Sequence, residues 1–107
     1  MSYEIFLDDV RQYDKTSDLD TTIVCRSYES FVSLITERGL PDRISFDYHL
    51  GDRGQKNGKQ AAEWLVEYCK TNNLKLPRVS VHSEHETGQW EVKEVLRNAK
   101  LKEKELN

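Results

Sequence analysis

Short apolar, β-branched runs alternate along this chain with longer amphipathic stretches. The short runs predict four β-strands, at residues 3–7, 21–25, 42–46 and 78–81. Apolar residues at helical spacing predict three helices, over residues 28–38, 59–72 and 88–104. Residues 10–20 are polar without a clear period and predict a loop. Strands separated by helices indicate one small parallel α/β sheet of about four strands, with helices packed on its faces.

Several local signals refine the predicted helices. Ser27 is placed to cap the first helix, although Ser30, three positions on, is not the acid or amide that completes the usual capping box. Gly39 is placed to end that helix. Trp64 and Trp90 lie within helical stretches, and we interpret both as helix-packing aromatics rather than platforms for stacking bases.

Polar residues stand at the carboxyl end of three predicted strands. Asp8 and Asp9 follow the first strand, Asp47 follows the third, and His82 follows the fourth. The carboxyl ends of parallel strands share one edge of a sheet, where ligands bind. Converging carboxylates repel one another, and a hard cation such as Mg²⁺ relieves that repulsion. Taken singly, each residue also has a purely structural explanation. Asp8 or Asp9 could cap the next segment, Asp47 could begin a turn, and His82 could form a hydrogen bond at the sheet edge.

Composition and charge narrow the possible functions. The 107 residues predict a single domain, 1–107, with a charged tail at about 100–107. Acidic and basic residues are interspersed and the net charge is −3, which argues against a general nucleic-acid binder. No apolar run is long enough to span a membrane, and the start does not resemble a signal peptide, so a cytoplasmic location is expected. Cys25 and Cys69 are expected to be buried free thiols.

Three motifs in order resemble the cyclic-phosphate-processing receiver-like domains, a divergent phage and bacterial branch of the receiver fold of two-component signalling. The first motif is Leu7-Asp8-Asp9 with Arg11, the second is residues 45–51 (Ser-Phe-Asp-Tyr-His-Leu-Gly), and the third is residues 82–88 (His-Ser-Glu-His-Glu-Thr-Gly). The resemblance spans nearly the whole chain. It implies a small three-layer, receiver-like (flavodoxin-like) parallel sheet that lacks the usual fifth strand.

The chain departs from this pattern at specific positions. Tyr48 and His49 stand where the branch has histidine and then aspartate, and His85 stands where it has asparagine. The two additional imidazoles, at His49 and His85, could restore metal ligation or favour softer metals. The lysine of a fifth strand, which pairs with the phosphorylated aspartate in ordinary receivers, has no counterpart here.

The resemblance implies metal-dependent hydrolysis of a cyclic phosphate, or a related phosphate ester, on a nucleotide or RNA end. Mg²⁺ is the expected cation, with Mn²⁺ as an alternative. The implied residues fall into three groups: metal ligands Asp8, Asp9 and Asp47; catalytic residues His82, Asp47 and Ser83; and substrate-binding residues Arg11, His49, His85 and Gly88.

Two other functions stay open at this point. The chain could be a non-catalytic adaptor, a degenerate receiver that binds a protein or a phosphorylated ligand, and the changes at Tyr48, His49 and His85 favour this alternative. It could also be a phosphoacceptor receiver that is modified at Asp47, which the missing lysine strand disfavours. The sequence does not determine the oligomeric state.

Overall fold

The computed structural model describes residues 3–8, 22–48, 50, 56–82 and 86–106. The strands are β1 (Glu4–Leu7), β2 (Thr22–Cys25), β3 (Arg43–Phe46) and β4 (Arg78–Val81). The helices are α1 (Tyr28–Arg38), α2 (Gly58–Thr71) and α3 (Glu86–Leu106). The predicted loop at residues 10–20 lies outside the described residues.

The four strands form one parallel sheet in the order β2-β1-β3-β4. This is the order of the first four strands of a flavodoxin-like sheet, so the predicted receiver-like α/β fold is confirmed. In the described part of the chain no fifth strand follows β4, and α3 continues through the predicted charged tail to Leu106. From β1 the chain adds β2 on one side and then β3 and β4 on the other, so the order of strand addition reverses between β1 and β3. Ligand crevices of such parallel sheets open at this point.

The two faces of the sheet differ in polarity because successive side chains of a strand point to opposite sides. One face is apolar and carries Ile5 and Leu7 of β1 beside Ile44 and Phe46 of β3, all of them buried. The three helices cover this face, and the main helical members of the shared core are Phe31, Ile35, Ala61, Leu65, Val92 and Leu96. The opposite face is more polar and includes Glu4, Phe6, Arg43 and Ser45. Residues 9–21, between β1 and β2, lie outside the described residues, and the third layer that the resemblance implies stays a prediction.

The caps and first residues of the helices differ in part from those predicted from the sequence. Ser27 caps α1 as predicted, but Ser30 does complete a capping box, because its hydroxyl accepts from the backbone N–H of Ser27 at 3.2 Å. Asn57 and Gln60 form the same reciprocal arrangement at α2. Gly58, predicted to be loop, is therefore the first residue of α2. Helix α3 begins two residues before the predicted start at Gly88.

The predictions for the two cysteines and for Trp64 are confirmed, and the prediction for Trp90 is wrong. Cys25 and Cys69 are buried free thiols, as expected, and burial raises the pKa of the Cys25 thiol. Trp64 packs edge-on against Phe31, also as expected. Trp90, in contrast, is 64% exposed. It lies two positions before the buried Val92, about 200° around the helix, and so on the opposite side of α3. No helix among the described residues is long and apolar enough to cross a membrane.

Candidate metal and phosphate site

Strand register brings the three polar strand ends together. Leu7 pairs with Phe46, and Phe46 pairs with Val81, so that three adjacent strands end level with one another. The next residues along these strands are Asp8, Asp47 and His82. Leu7 and Phe46 are buried and Val81 is partly buried. Because side chains alternate along a strand, the residue after each of them points to the polar face of the sheet.

The backbone extends this alignment past the strands. The N–H of Asp8 donates to the carbonyl of Cys25 at 3.0 Å, and the N–H of Asp47 donates to the carbonyl of Leu7 at 3.0 Å. The N–H of His82 donates to the carbonyl of Phe46 at 2.9 Å. Each polar residue is therefore held by the same hydrogen-bond ladder that holds the sheet, rather than by a free loop.

Asp8, Asp47 and His82 form a compact cluster of potential ligands. One ligand atom from each lies within 4.8 Å of the other two. Asp8 is only 1% exposed, and its Oδ2 lies 3.0 Å from Nε2 of His82. A buried carboxylate beside a second carboxylate is unfavourable without a compensating positive charge. His82 supplies part of that compensation when protonated, and a cation would supply more.

The cluster fits a divalent cation by spacing and by chemistry. Donor atoms bound to one small ion lie about 3 Å apart, because each sits roughly 2.1 Å from the ion. The 3.0 Å between Asp8 and His82 already has this spacing. Two carboxylates suit Mg²⁺ or Mn²⁺, and an imidazole nitrogen also suits softer divalent metals. The described residues therefore offer a possible site for a divalent cation.

The imidazole of His82 is fixed on three sides. Its Nδ1 lies 2.6 Å from Oγ of Ser45, and its Nε2 faces Asp8. Its ring stacks on Phe6, with centroids 4.4 Å apart and planes inclined by 8°. Phe6 belongs to β1 and Ser45 to β3, so the imidazole extends from the end of β4 across β3 toward β1. The sequence analysis included Ser45 in the second motif but gave it no role in the site, and it did not identify Phe6.

Asp47 is fixed between β3 and the start of α2. Its Oδ1 accepts a hydrogen bond from the N–H of Tyr48 at 2.8 Å. The N–H of Gly58 donates to the carbonyl of Tyr48 at 2.6 Å, which brings the first turn of α2 against the Asp47 peptide. A Cβ at Gly58 would overlap the carbonyl group of Asp47. Glycine at this position therefore allows the helix to approach the site.

Arg26 is a further residue near the site that the sequence analysis did not identify. It follows Cys25 at the end of β2, and Cys25 pairs with Leu7, so Arg26 occupies the same row as Asp8. Its Nη1 donates to the backbone carbonyl of Asp8 at 3.1 Å. The sequence does contain a signal for Arg26, because this arginine is the polar residue that directly follows the second predicted strand. Its guanidinium places a permanent positive charge beside the backbone of Asp8.

Tyr48 connects the site to α3. Its ring lies against Gly88, which is buried, and a Cβ at Gly88 would overlap the ring. Burial raises the pKa of the Tyr48 phenol, and the carboxylate of Glu91, with which it hydrogen-bonds, raises that pKa further. Gly88 therefore has a packing role here; its predicted contact with substrate stays a prediction.

Replacing Glu91 should lower the pKa of Tyr48. We expect Glu91→Gln to lower the pKa of Tyr48 toward, but not to, its usual value of 10.0. The substitution removes the negative charge of Glu91 but leaves the Tyr48 phenol buried. The measurement is an ultraviolet titration of tyrosinate, with the Tyr48→Phe spectrum subtracted. Folding favours the neutral phenol of Tyr48. The contribution of this phenol to protein stability is therefore complete below pH 10, and it is lost as pH rises through the raised pKa. An unchanged Tyr48 titration in Glu91→Gln would contradict the contact.

The structure describes only some of the predicted site residues. It brings Asp8, Asp47 and His82 together, and it places Gly88 against Tyr48. The remaining predicted residues lie outside the described part of the chain: Asp9, Arg11, His49, Ser83 and His85. Their contribution to the site stays a prediction.

Comparison with known families gives one match. The family model described as "Cyclic-phosphate processing Receiver domain" matches residues 3–98, nearly the whole chain. No curated protein and no solved structure matches the chain. The matched range contains all four strands, Asp8, Asp47 and His82.

Proposed function

The chain belongs to the family of cyclic-phosphate processing receiver domains, and on this premise we propose that it hydrolyses a cyclic phosphate on a nucleotide or an RNA end with a bound divalent cation. The observation that carries the proposal is the meeting of the buried Asp8 with Asp47 and His82 at one edge of the sheet. Each comes from a different strand, so only the folded chain assembles them.

In this proposal Asp8 and Asp47 hold the cation, together with Asp9. The proposed ion is Mg²⁺ or Mn²⁺, since the set is dominated by carboxylate oxygens. The cation would neutralise charge on the phosphate and make phosphorus more electrophilic. The guanidinium of Arg26 lies beside Asp8 and adds positive charge to the same end of the sheet. A phosphodiester, which is anionic, suits an edge that combines a cation with an arginine.

His82 is the proposed proton-transfer residue. Hydrolysis of a cyclic diester adds water at phosphorus, breaks one ring P–O bond, and leaves a monoester and a free hydroxyl. Water loses a proton in this reaction and the departing ring oxygen gains one. An imidazole can carry out both transfers near neutral pH. His82 is suited to this role because its side chain is 17% exposed, next to the almost fully buried Asp8.

The remaining proposed contacts orient the substrate. Ser83 would donate a hydrogen bond to a phosphoryl oxygen, and Arg11 would pair with the phosphate. His49, His85 and Gly88 would contact the rest of the ligand. These five assignments rest on the sequence motifs, and an activity assay tests them only collectively.

The proposal predicts turnover that depends on both metal and His82. We expect the purified protein to open 2′,3′-cyclic or 3′,5′-cyclic nucleotides when Mg²⁺ or Mn²⁺ is added, and to lose activity with EDTA. His82→Ala should reduce kcat by about 100-fold or more, the typical contribution of a positioned acid–base group. Product is measured by chromatography of the nucleotide monophosphate.

A matched control separates chemistry from folding in this experiment. Arg78→Ala changes an exposed residue at the other end of β4 and should leave kcat unchanged. Absence of turnover with all of these nucleotides and both metals, in a folded protein, would remove the enzyme proposal. Equal activity in His82→Ala and the wild type would remove His82 from the mechanism.

An adaptor function is the second candidate, and the packing of Tyr48 favours it. Tyr48 stands where the resembling domains have a histidine, and here its ring is used to pack on Gly88. An adaptor would fold stably but show neither turnover nor cation affinity. Calorimetric titration with Mg²⁺ and Mn²⁺ distinguishes the two functions, because only the enzyme requires the cation to bind at Asp8 and Asp47.

A further inference from the structure

The hydrogen bond between Ser45 and His82 has no place in the mechanism so far. Ser45 lies in β3, in register with Phe6 on one side and Ser80 on the other. Its Oγ is 2.6 Å from Nδ1 of His82, which is short and well formed. We infer that Ser45 is the positioning residue that makes Nε2 of His82 the nitrogen facing the acids. The catalytic consequence rests on the proposed function, but the orientation of the imidazole does not.

The donors and acceptors of this network follow from the chemistry of its three groups. An ionised carboxylate only accepts hydrogen bonds, so Nε2 must carry the hydrogen shared with Asp8 at 3.0 Å. In a neutral imidazole Nδ1 is then the acceptor, and Ser45 donates its hydroxyl hydrogen. The network runs from Ser45 through His82 to Asp8 and, in the metal-free protein, favours the tautomer with its hydrogen on Nε2.

A serine is suited to this position because a hydroxyl both donates and accepts. When His82 gains a proton, Nδ1 becomes a donor and the Ser45 hydroxyl can turn to accept from it. The imidazole can therefore change its protonation state without losing this bond or rotating. A general acid–base residue takes and gives a proton during one turnover. A cation held by Asp8 would free Nε2 from donating to that carboxylate, so that Nε2 could accept a proton while Nδ1–H donates to the Ser45 hydroxyl.

The size of Ser45 matters as well as its hydroxyl. The His82 imidazole starts from β4 and reaches Asp8 on β1, so it must pass over β3, where Ser45 is half-buried. A small side chain leaves room for this crossing. Phe6 then completes the arrangement by stacking on the imidazole at 4.4 Å. Packing and hydrogen bonding thus favour the same orientation.

The arrangement of serine, histidine and aspartate does not make Ser45 a nucleophile. Phe46 is the last residue of β3. Ser45 precedes it, inside the strand, whereas Asp47 follows it, at the carboxyl edge of the sheet. Its hydroxyl faces Nδ1, and the cluster of acids faces the opposite nitrogen, Nε2. A phosphate bound near Asp8 and Asp47 would meet Nε2 of His82 rather than the Ser45 hydroxyl. A positioning role is therefore the one that the geometry supports.

Nitrogen-15 NMR of the metal-free protein tests the inference without any substrate. In the wild type we expect Nε2 of His82 to be protonated and Nδ1 to show the shift of a hydrogen-bonded acceptor. Ser45→Ala should move the Nδ1 signal to that of an unbonded or water-bonded nitrogen, and Ser45→Thr should restore it. Ser80→Ala is the matched control, because Ser80 pairs with Ser45 in register but is exposed.

Activity measurements give the second readout. Ser45→Ala should lower kcat by about 10- to 100-fold with little change in KM, as expected when the partner of a functional histidine is removed. Ser45→Thr should recover most of that loss. Unchanged His82 nitrogen shifts in Ser45→Ala, or an equal change in Ser80→Ala, would overturn the inference.

The failures of the two proposals are distinguishable. If the wild type has no activity but the nitrogen shifts respond to Ser45→Ala alone, the proposed function fails and the positioning of His82 stands. If the shifts respond but kcat of Ser45→Ala equals that of the wild type, the catalytic role of Ser45 is overturned while the proposed function stands.

Discussion

Asp8→Asn should remove the binding of divalent cations while the protein stays folded. Asparagine keeps the size of the side chain but replaces a charged oxygen by an amide, so the site loses a full negative charge. Loss of a residue that only supports a metal ligand typically costs 10- to 100-fold in affinity. Loss of Asp8 itself, which is 1% exposed and 3.0 Å from His82, should therefore exceed about 100-fold.

The effect should be specific to charge at this end of the sheet. Asp42→Asn is the matched control, because Asp42 is an exposed acid just before the opposite end of β3. It removes the same charge from the same protein and should leave Mn²⁺ affinity unchanged. Asp47→Asn should resemble Asp8→Asn, since both acids belong to the same cluster.

Titration calorimetry and Mn²⁺ electron paramagnetic resonance measure the affinity directly, and circular dichroism reports whether the variants fold. Removing one of two neighbouring carboxylates relieves repulsion, so we expect the metal-free Asp8→Asn protein to remain folded. Wild-type affinity in Asp8→Asn would mean that the cation binds elsewhere, and the proposed mechanism would then be wrong. Equal losses in Asp8→Asn and Asp42→Asn would show a nonspecific effect of net charge.

Gly58→Ala should be strongly destabilising, although the same change usually stabilises a helix. Alanine is favoured over glycine within helices by about 0.5–1 kcal/mol. Here, however, the added Cβ would overlap the carbonyl carbon and oxygen of Asp47. The obstacle is backbone held by the sheet and cannot rotate away as a side chain would. We expect a net loss near the upper end of the usual cost of overpacking, about 3 kcal/mol.

Thermal unfolding measures this loss. For a domain of this size roughly 4 °C of Tm corresponds to each kcal/mol, so Tm should fall by about 10 °C. Lys59→Ala, at the next residue of the same helix turn, is the control and should change Tm little. An unchanged or raised Tm in Gly58→Ala would contradict the close contact between α2 and the Asp47 peptide.

The same substitution should also disturb the site. If α2 moves away to make room, the hydrogen bond from Gly58 to the Tyr48 carbonyl is lost, and with it the support that holds Asp47 in place. Mn²⁺ affinity should then decrease in the folded fraction. A stable Gly58→Ala protein with wild-type affinity would show that Asp47 is positioned by β3 alone.

Much of the fold could be predicted because its signals are local. Helical spacing predicted that Phe31, Leu34 and Ile35 form the apolar face of α1. Phe31 and Ile35 are fully buried, and Leu34 is partly buried against the core. The apolar runs identified all four strands to within one residue. The prediction was less accurate at helix starts, where Ser30 and Gln60 act through reciprocal hydrogen bonds that depend on local backbone geometry. It was wrong for Trp90, because residues two positions apart lie on opposite sides of a helix and the core contacts the side that carries Val92.

The candidate site was only partly predictable. Asp8, Asp47 and His82 were recognisable because each is the first polar residue after an apolar strand. Ser45 belongs to the second motif, but its role was not predicted, because a serine inside a strand is ordinary until an imidazole from β4 is known to lie over it. Arg26 was passed over because β2 was not considered part of the site, and only pairing of β2 with β1 brings Arg26 beside Asp8.

The sequence by itself therefore determined the order of strands and helices, the apolar face of each, and the polar residues that end the strands, because spacing and propensity act over a few neighbouring residues. Only the tertiary structure decided the strand order β2-β1-β3-β4, and with it which strand ends are neighbours. It also decided that His82 crosses β3 to reach Asp8 and that Gly58 contacts the Asp47 peptide. These contacts join residues far apart in the chain, and their geometry depends on register and packing of the whole sheet.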